Sequence, residues 1–155
     1  MGCQTCGKEY RGDSCVCSIL KDIARAQKNI TEMECQTSCE KSINDLLGQT
    51  DIPNNLDTIP FILYCKDSCK PFKGYGANAR NIGKMVASYY FRVKSVTKDC
   101  CAVIELLRDP NCGNVNPHNP MDQQTKHLRA TGICITVDVK CFCHITCLPA
   151  ISVFN

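Results

Sequence analysis

From Cys15 onward the apolar residues Val16, Ile19, Leu20 and Ile23 recur every three or four positions, the spacing that lines one face of an α-helix. With Ser14 as its N-cap, this pattern predicts an amphipathic helix reaching about Asn29, with Gln27 and Ile30 continuing the stripe. A second, shorter helix is predicted over Cys39 to Leu47, with Ile43, Leu46 and Leu47 turned inward and Gly48 ending it. After the polar loop Gln49 to Thr58 the period changes from helical to twofold. Pro60 opens the run Phe61 to Cys65, the segment Ser88 to Lys94 places Tyr89, Phe91 and Val93 on one face, and Cys100, Ala102, Ile104 and Leu106 line a third strand.

The clearest alternation closes the chain. Ile133, Ile135, Val137, Val139, Cys141, Cys143, Ile145 and Cys147 fill the odd positions, with Thr136, Asp138, Lys140, His144 and Thr146 between them. As one strand this run would stretch roughly 53 Å, too far for a domain of this size, so a bend or bulge is expected near Lys140. Strand parity then sends Cys100 to the apolar side and Cys101 to the other, with Cys141, Cys143 and Cys147 inward and Cys134 outward. A bulge would exchange the faces beyond it. Residues Asp109 to Thr131, with three Pro and four Asn, read as one long loop, either functional or mobile. The elements together predict an α+β fold, N-terminal helices with a small antiparallel β-sheet or sandwich, as a single domain over residues 14–155. Residues 1–13 read as a flexible arm carrying Cys3 and Cys6.

Composition changes this picture in one respect. The chain is 44% hydrophobic over 155 residues, enough for a core without help from metals or bridges, yet 15 of those residues are cysteine. Charge excludes other roles: the formal net charge is +3 and no two Lys or Arg are adjacent, which leaves no basic run for nucleic acid or an anionic membrane. No apolar stretch approaches the ~20 residues of a membrane span, and Met1 to Cys6 is too polar for a secretory signal. Gly2 sits as in a myristoylation site, but Cys6 stands where that pattern needs Ser or Thr.

Three chemistries compete for the sulfur: bridges, buried free thiols and a zinc site. Cys3-x-x-Cys6 with Cys15-x-Cys17 supplies four thiolates for tetrahedral Zn²⁺, although the second half is C-x-C rather than a C-x-x-C knuckle. A redox enzyme would set its C-x-x-C at a helix N-terminus within a βαβ unit, and Cys3-Gln4-Thr5-Cys6 has neither. His118 and His127 read as solvated loop residues, His144 as a surface or interface residue, and Asp138 as an outward strand carboxylate paired with a cation. Arg11-Gly12-Asp13 and Asn29-Ile30-Thr31 match an adhesion tripeptide and a glycosylation sequon only at chance length. No catalytic, cofactor or metal residue is assigned. The odd cysteine count leaves at least one thiol over after any internal pairing. Cys3, Cys6, Cys15 and Cys17, on or near an arm able to cross a seam, are the first candidates for bonds between subunits, with Cys101 and Cys134 next. Cys35, Cys39, Cys65, Cys69, Cys100, Cys141, Cys143 and Cys147 are candidates for internal bonds or buried thiols.

Four blocks carry a resemblance: Cys35-Gln36-Thr37-Ser38-Cys39; Asp57-Thr58-Ile59-Pro60-Phe61 followed by Pro71-Phe72; Tyr90-Phe91-Arg92-Val93 leading to Cys100-Cys101-Ala102; and Cys134-Ile135-Thr136-Val137-Asp138-Val139-Lys140-Cys141-Phe142-Cys143 running on to Cys147-Leu148. In order and separation they resemble the spore coat protein Y/Z family (CotY, CotZ and the exosporium protein ExsY) of endospore-forming bacteria. The chain departs from it at Lys84-Met85-Val86, where the family often has a cysteine, and at His144, where a small residue is usual. The resemblance implies a structural protein of the coat, crust or exosporium, made in the mother cell without a signal peptide. It further implies self-assembly into a two-dimensional, often hexagonal lattice strengthened by disulfides, alongside other coat or exosporium proteins. A zinc-stabilised module of a coat complex and a thiol-redox enzyme are the competing readings.

Overall fold

The computed structural model describes residues 15–28, 30, 34–49 and 55–154 and divides the chain into two compact units, Met1–Cys35 and Gln36–Asn155. In the first, helix α1 spans Cys15–Gln27, close to the predicted range. Its polar side carries an Asp22–Arg25 ion pair at 3.4 Å, and none of its residues is buried. The expected cap Ser14 and the whole arm, with Cys3 and Cys6, lie outside the described residues.

The second unit opens with helix α2, Cys39–Leu46. The Ser38 hydroxyl accepts from the Lys41 amide at 3.0 Å, an N-cap bond that satisfies one otherwise orphaned donor. Gly48, at φ 74°, ends the helix in the left-handed region. The buried face is not the predicted apolar one: Ser42 and Asp45 are buried while Ile43 and Leu47 are exposed. Two contacts turn the helix this way: Cys39 forms a disulfide with Cys147, and the Ser42 hydroxyl donates to the Leu148 carbonyl at 2.7 Å. Within the helix, Lys41 Nζ meets the buried Asp45 carboxylate at 2.9 Å and compensates its charge. An eight-residue helix has too little apolar surface to outweigh them.

Seven strands follow: β1 Phe61–Cys65, β2 Gly74–Ala77, β3 Met85–Ser88, β4 Phe91–Val96, β5 Cys101–Arg108, β6 Arg129–Asp138 and β7 Phe142–Cys147. Five form an antiparallel sheet in the order β6-β5-β4-β1-β7, and β2 and β3 pair separately as a hairpin. The predicted strand over Ser88 to Lys94 is therefore two strands meeting at a corner. The Ser88 hydroxyl makes the corner by donating to the Leu107 carbonyl at 2.6 Å and accepting from the Tyr90 amide at 3.0 Å. The bend expected near Lys140 is a 3₁₀ turn over Val139–Cys141.

That turn shapes the sheet. In a flat five-stranded sheet the edge strands β6 and β7 would lie about 19 Å apart, four interstrand spacings, whereas the chain from Asp138 to Phe142 can span at most about 14 Å. The sheet must therefore curl, bringing its two edges together at this end. Phe61, Leu63, Phe91, Ala102, Ile104, Leu106 and Ile133 fill the concave side. The β2–β3 hairpin covers part of it at close range: a Cβ added at Gly74 would sit 2.8 Å from Phe91 Cε1, and one at Gly76 would collide with Ile133. Phe72 packs beneath, 5.7 Å from the Phe91 ring and 5.2 Å from Phe142.

Ile62, Tyr89, Tyr90, Leu107, Leu128 and Val153 pack on the other side. The long segment between β5 and β6 is tied down there. Gln123 Nε2 donates to the Ser88 hydroxyl at 2.8 Å and its Oε1 accepts from the Tyr89 amide at 3.0 Å. The Tyr89 and Tyr90 hydroxyls donate to the carbonyls of His118 and Pro120, and the Asp109 carboxylate accepts from the His127 amide at 3.1 Å. Burial, with Tyr64 alongside, pushes the Tyr90 phenol above its ordinary range. The C-terminal segment is held by Asp57, which accepts from the Val153 amide at 3.0 Å and the Ser152 hydroxyl at 3.1 Å. Burial by itself would raise its pKa, but these hydrogen bonds hold the carboxyl below the usual carboxylate value.

Candidate functional site: a cysteine rim

At the curled end of the sheet three turns meet, far apart in sequence. The first follows β1, where the Cys65 amide donates to the Lys70 carbonyl at 2.9 Å and the Cys69 amide to the Cys65 carbonyl at 2.8 Å. The second links β4 to β5, where the Cys100 amide donates to the Thr97 carbonyl at 3.0 Å and the Cys101 amide to the Thr97 hydroxyl at 3.2 Å. The third is Val139–Cys141, whose bend is fixed by the Asp138 carboxylate accepting from the Lys140 amide at 2.9 Å. This third turn is bonded to both others: the Val139 amide donates to the Cys100 carbonyl at 2.8 Å, and the Lys66 amide to the Cys141 carbonyl at 2.7 Å. Six cysteines, Cys65, Cys69, Cys100, Cys101, Cys141 and Cys143, thus stand on one rim, all exposed or half-buried.

Backbone geometry shows how they are displayed. Cys69 (φ 56°) and Cys100 (φ 62°) occupy the left-handed region, which costs an ordinary side chain about 1 kcal/mol and which glycine enters freely. Cysteine therefore occupies two turn positions that glycine would fill with less strain. Parity fails for Cys100 because it precedes β5 in the turn instead of joining the apolar side. It fails for Cys141 and Cys143 because the 3₁₀ turn and a bulge intervene. Tyr64 pairs with His144 and Cys65 with Phe142, so Cys143 is the extra residue. Phe142 points into the core and Cys143 is exposed, its Sγ 3.6 Å from the Cys65 carbonyl.

The remaining predicted cysteines lie elsewhere. Cys134 is exposed on edge strand β6, opposite the buried Glu105. At the far end of the sheet from the rim, Cys39 and Cys147 form the disulfide, their Cα atoms 4.8 Å apart. Cys35 is exposed and Cys15 half-buried in the first unit, where Cys17 flanks the other side of Val16. Cys112, unassigned by the sequence reading, lies half-buried with its Sγ 3.5 Å from the Asn114 carbonyl; one cysteine in a segment without periodicity gives no signal to follow. Asp138 caps a turn instead of pairing with a cation as expected, and His144 stacks on Tyr64 with ring centroids 4.1 Å apart. Among the described residues no three His, Cys, Asp or Glu side chains converge as a metal-ligand group, and no helix is long and apolar enough to cross a membrane. The Cys3 and Cys6 half of the zinc reading lies outside the described residues.

A small α+β unit stapled internally at one end and presenting sulfur on an exposed rim at the other has the build of a cysteine-rich structural protein. The family model described as Spore coat protein Z matches residues 4–150. Spore coat protein Z of Bacillus subtilis (strain 168) is 28% identical over 145 residues, covering 87% of this chain and 88% of that protein. The chain belongs to the spore coat protein Z family, and so to the structural proteins of the bacterial spore surface. No solved structure matches it.

Proposed function

We propose that the protein is a non-enzymatic building block of a spore surface layer, self-assembling into an ordered two-dimensional lattice reinforced by disulfides between subunits. Copies dock first and bond afterwards, because a disulfide needs Cα atoms within about 7 Å of each other. Each bond forms from two thiols, which lose two protons and two electrons to an oxidant such as dioxygen. The observation that carries this reading is the rim: thiols at Cys65, Cys100, Cys101, Cys141 and Cys143, exposed or half-buried, on three turns bonded into one platform. Exposed Cys134 on edge strand β6 offers a further link, since unpaired strand edges favour lateral association. Other coat or exosporium proteins are partners of the same surface. The arm cysteines Cys3 and Cys6, with Cys15 and Cys17, remain candidates for bonds across a seam.

Electron microscopy of the full chain with and without reductant, combined with disulfide mapping of mixed ¹⁴N- and ¹⁵N-labelled protein, tests this. Ordered sheets whose oxidised form contains mixed-isotope linked peptides are expected. Monomers under both conditions, or linked peptides of one isotope only, would overturn the proposal.

A further inference from the structure

Two apolar surfaces of this chain lie open. One is the part of the concave sheet face that the hairpin leaves uncovered, a groove of about 320 Å³ lined almost entirely by apolar atoms. Val93, Val96, Ile145 and, from α2, Ile43 border it, each about half exposed. The other is α1, where Val16, Ile19, Leu20 and Ile23 form one stripe with exposures of 62%, 58%, 58% and 46%. By helical geometry these four span an arc of about 100°, the width of a core-facing stripe. An amphipathic helix with nothing buried and a concave trough without polar lining are the two halves of a helix-in-groove contact.

The groove also ends at the cysteine rim. Val96 precedes the Thr97–Cys101 turn, Ala102 follows Cys101, and Val139 opens the Val139–Cys141 turn. On α1, Cys15 stands beside Val16 at the start of the stripe. We infer that α1 of one copy docks into this groove of a second copy, with its N-terminal end toward the rim, and so brings Cys15 to Cys100 or Cys101 of its neighbour. This contact rests on the lattice reading and supplies the non-covalent docking that must precede bonding. Once docked, the two thiols form a bond by giving two protons and two electrons to dioxygen, which becomes hydrogen peroxide.

The test uses two full-length variants under reducing conditions, so that it does not depend on lattice formation. One breaks the stripe (Ile19→Glu with Leu20→Glu) and the other blocks the groove (Val93→Glu with Ile145→Glu). All four are exposed positions, and retained far-ultraviolet circular dichroism and a cooperative melt establish that each variant folds. In sedimentation velocity each variant alone should associate about 100-fold more weakly than the unmodified chain. Their mixture should form a 1:1 complex through the one intact helix and the one intact groove. Air oxidation of that mixture, with the groove-blocked chain ¹⁵N-labelled, should yield Cys15 of the labelled chain linked to Cys100 or Cys101 of the other. A mixture that stays monomeric overturns the inference, as does a stripe variant that associates like the unmodified chain. If the unmodified chain forms sheets while the mixture stays monomeric, the lattice stands and this contact falls. If the mixture pairs but no sheets form, the contact stands and the lattice falls.

Discussion

The two ends of the five-stranded sheet hold the same element in opposite circumstances. Where β1 begins and β7 ends, sulfur is used inside the chain: Cys39 and Cys147 bond, the Leu148 amide donates to the Pro60 carbonyl at 2.8 Å, and Asp57 and Thr58 hold the C-terminal segment. Where β1 ends and β7 begins, the backbone is equally well bonded but the thiols face outward. The difference teaches that the fate of a cysteine is set by what surrounds its strand end, not by the strand. At one end a helix and a returning tail supply a second layer, while at the other the sheet curls on itself and leaves its turns bare.

This contrast can be broken from either side. Replacing Cys39 and Cys147 with Ser should cost the largest stability, roughly 4 to 5 kcal/mol for closing a loop this long, the separation being 108 residues; urea unfolding of the double variant checks it. Asp138→Ala removes the cap of the central rim turn and should cost about 1 kcal/mol, with faster amide exchange at Val139 and Lys66 than in the parent. Acid should weaken the closed end. Because the Asp57 carboxyl is held below its unfolded value of about 3.9, its contribution is complete above that value and is lost as pH falls through the folded pKa. Asp57→Asn should flatten that part of the profile of urea midpoint against pH.

Cys100→Gly should have a small effect of opposite sign, a gain of up to about 1 kcal/mol from relief of the left-handed turn, read as a higher melting temperature under reductant. Replacing Cys65, Cys100, Cys101, Cys141 and Cys143 together by Ser should change the stability of the reduced monomer least per site, each exposed or half-buried position lying within about 0.5 kcal/mol of neutral. The covalent oligomers formed in air should drop in that variant to those linked without the rim, such as through Cys134. A large loss of monomer stability there would mean that the rim thiols are structural, erasing the distinction between the two ends.

The α+β class, α1, β1, the β6–β7 bend and the outward Cys134 were legible because each rests on a local period. The inward face of α2 was not, since a disulfide to Cys147 and a hydrogen bond to Leu148 decide it from more than 100 residues away. The β2–β3 hairpin was missed because Gly74-Tyr75-Gly76-Ala77 carries little strand signal. Its glycines serve the close approach to Phe91 and Ile133, a requirement set by packing. The rim escaped for a related reason: Cys65, Cys100 and Cys141 are neighbours only through topology, and parity counting fails at turns and bulges such as those holding Cys100 and Cys143. The largely buried Arg92–Glu105 pair at 3.5 Å had no local marker either.

The bonding of the central rim turn to its two neighbours has a mechanical meaning. A tether pulled at Cys101 directs its load along β5, whose ladder bonds to β4 and β6 run across the strands and are stressed together in shear instead of opening one by one. Through Val139 and Lys66 part of that tension passes into β6, β7 and β1. A shell tied at this edge by covalent sulfur bonds would resist strain until these ladders sheared, its ties outlasting the tiles they join.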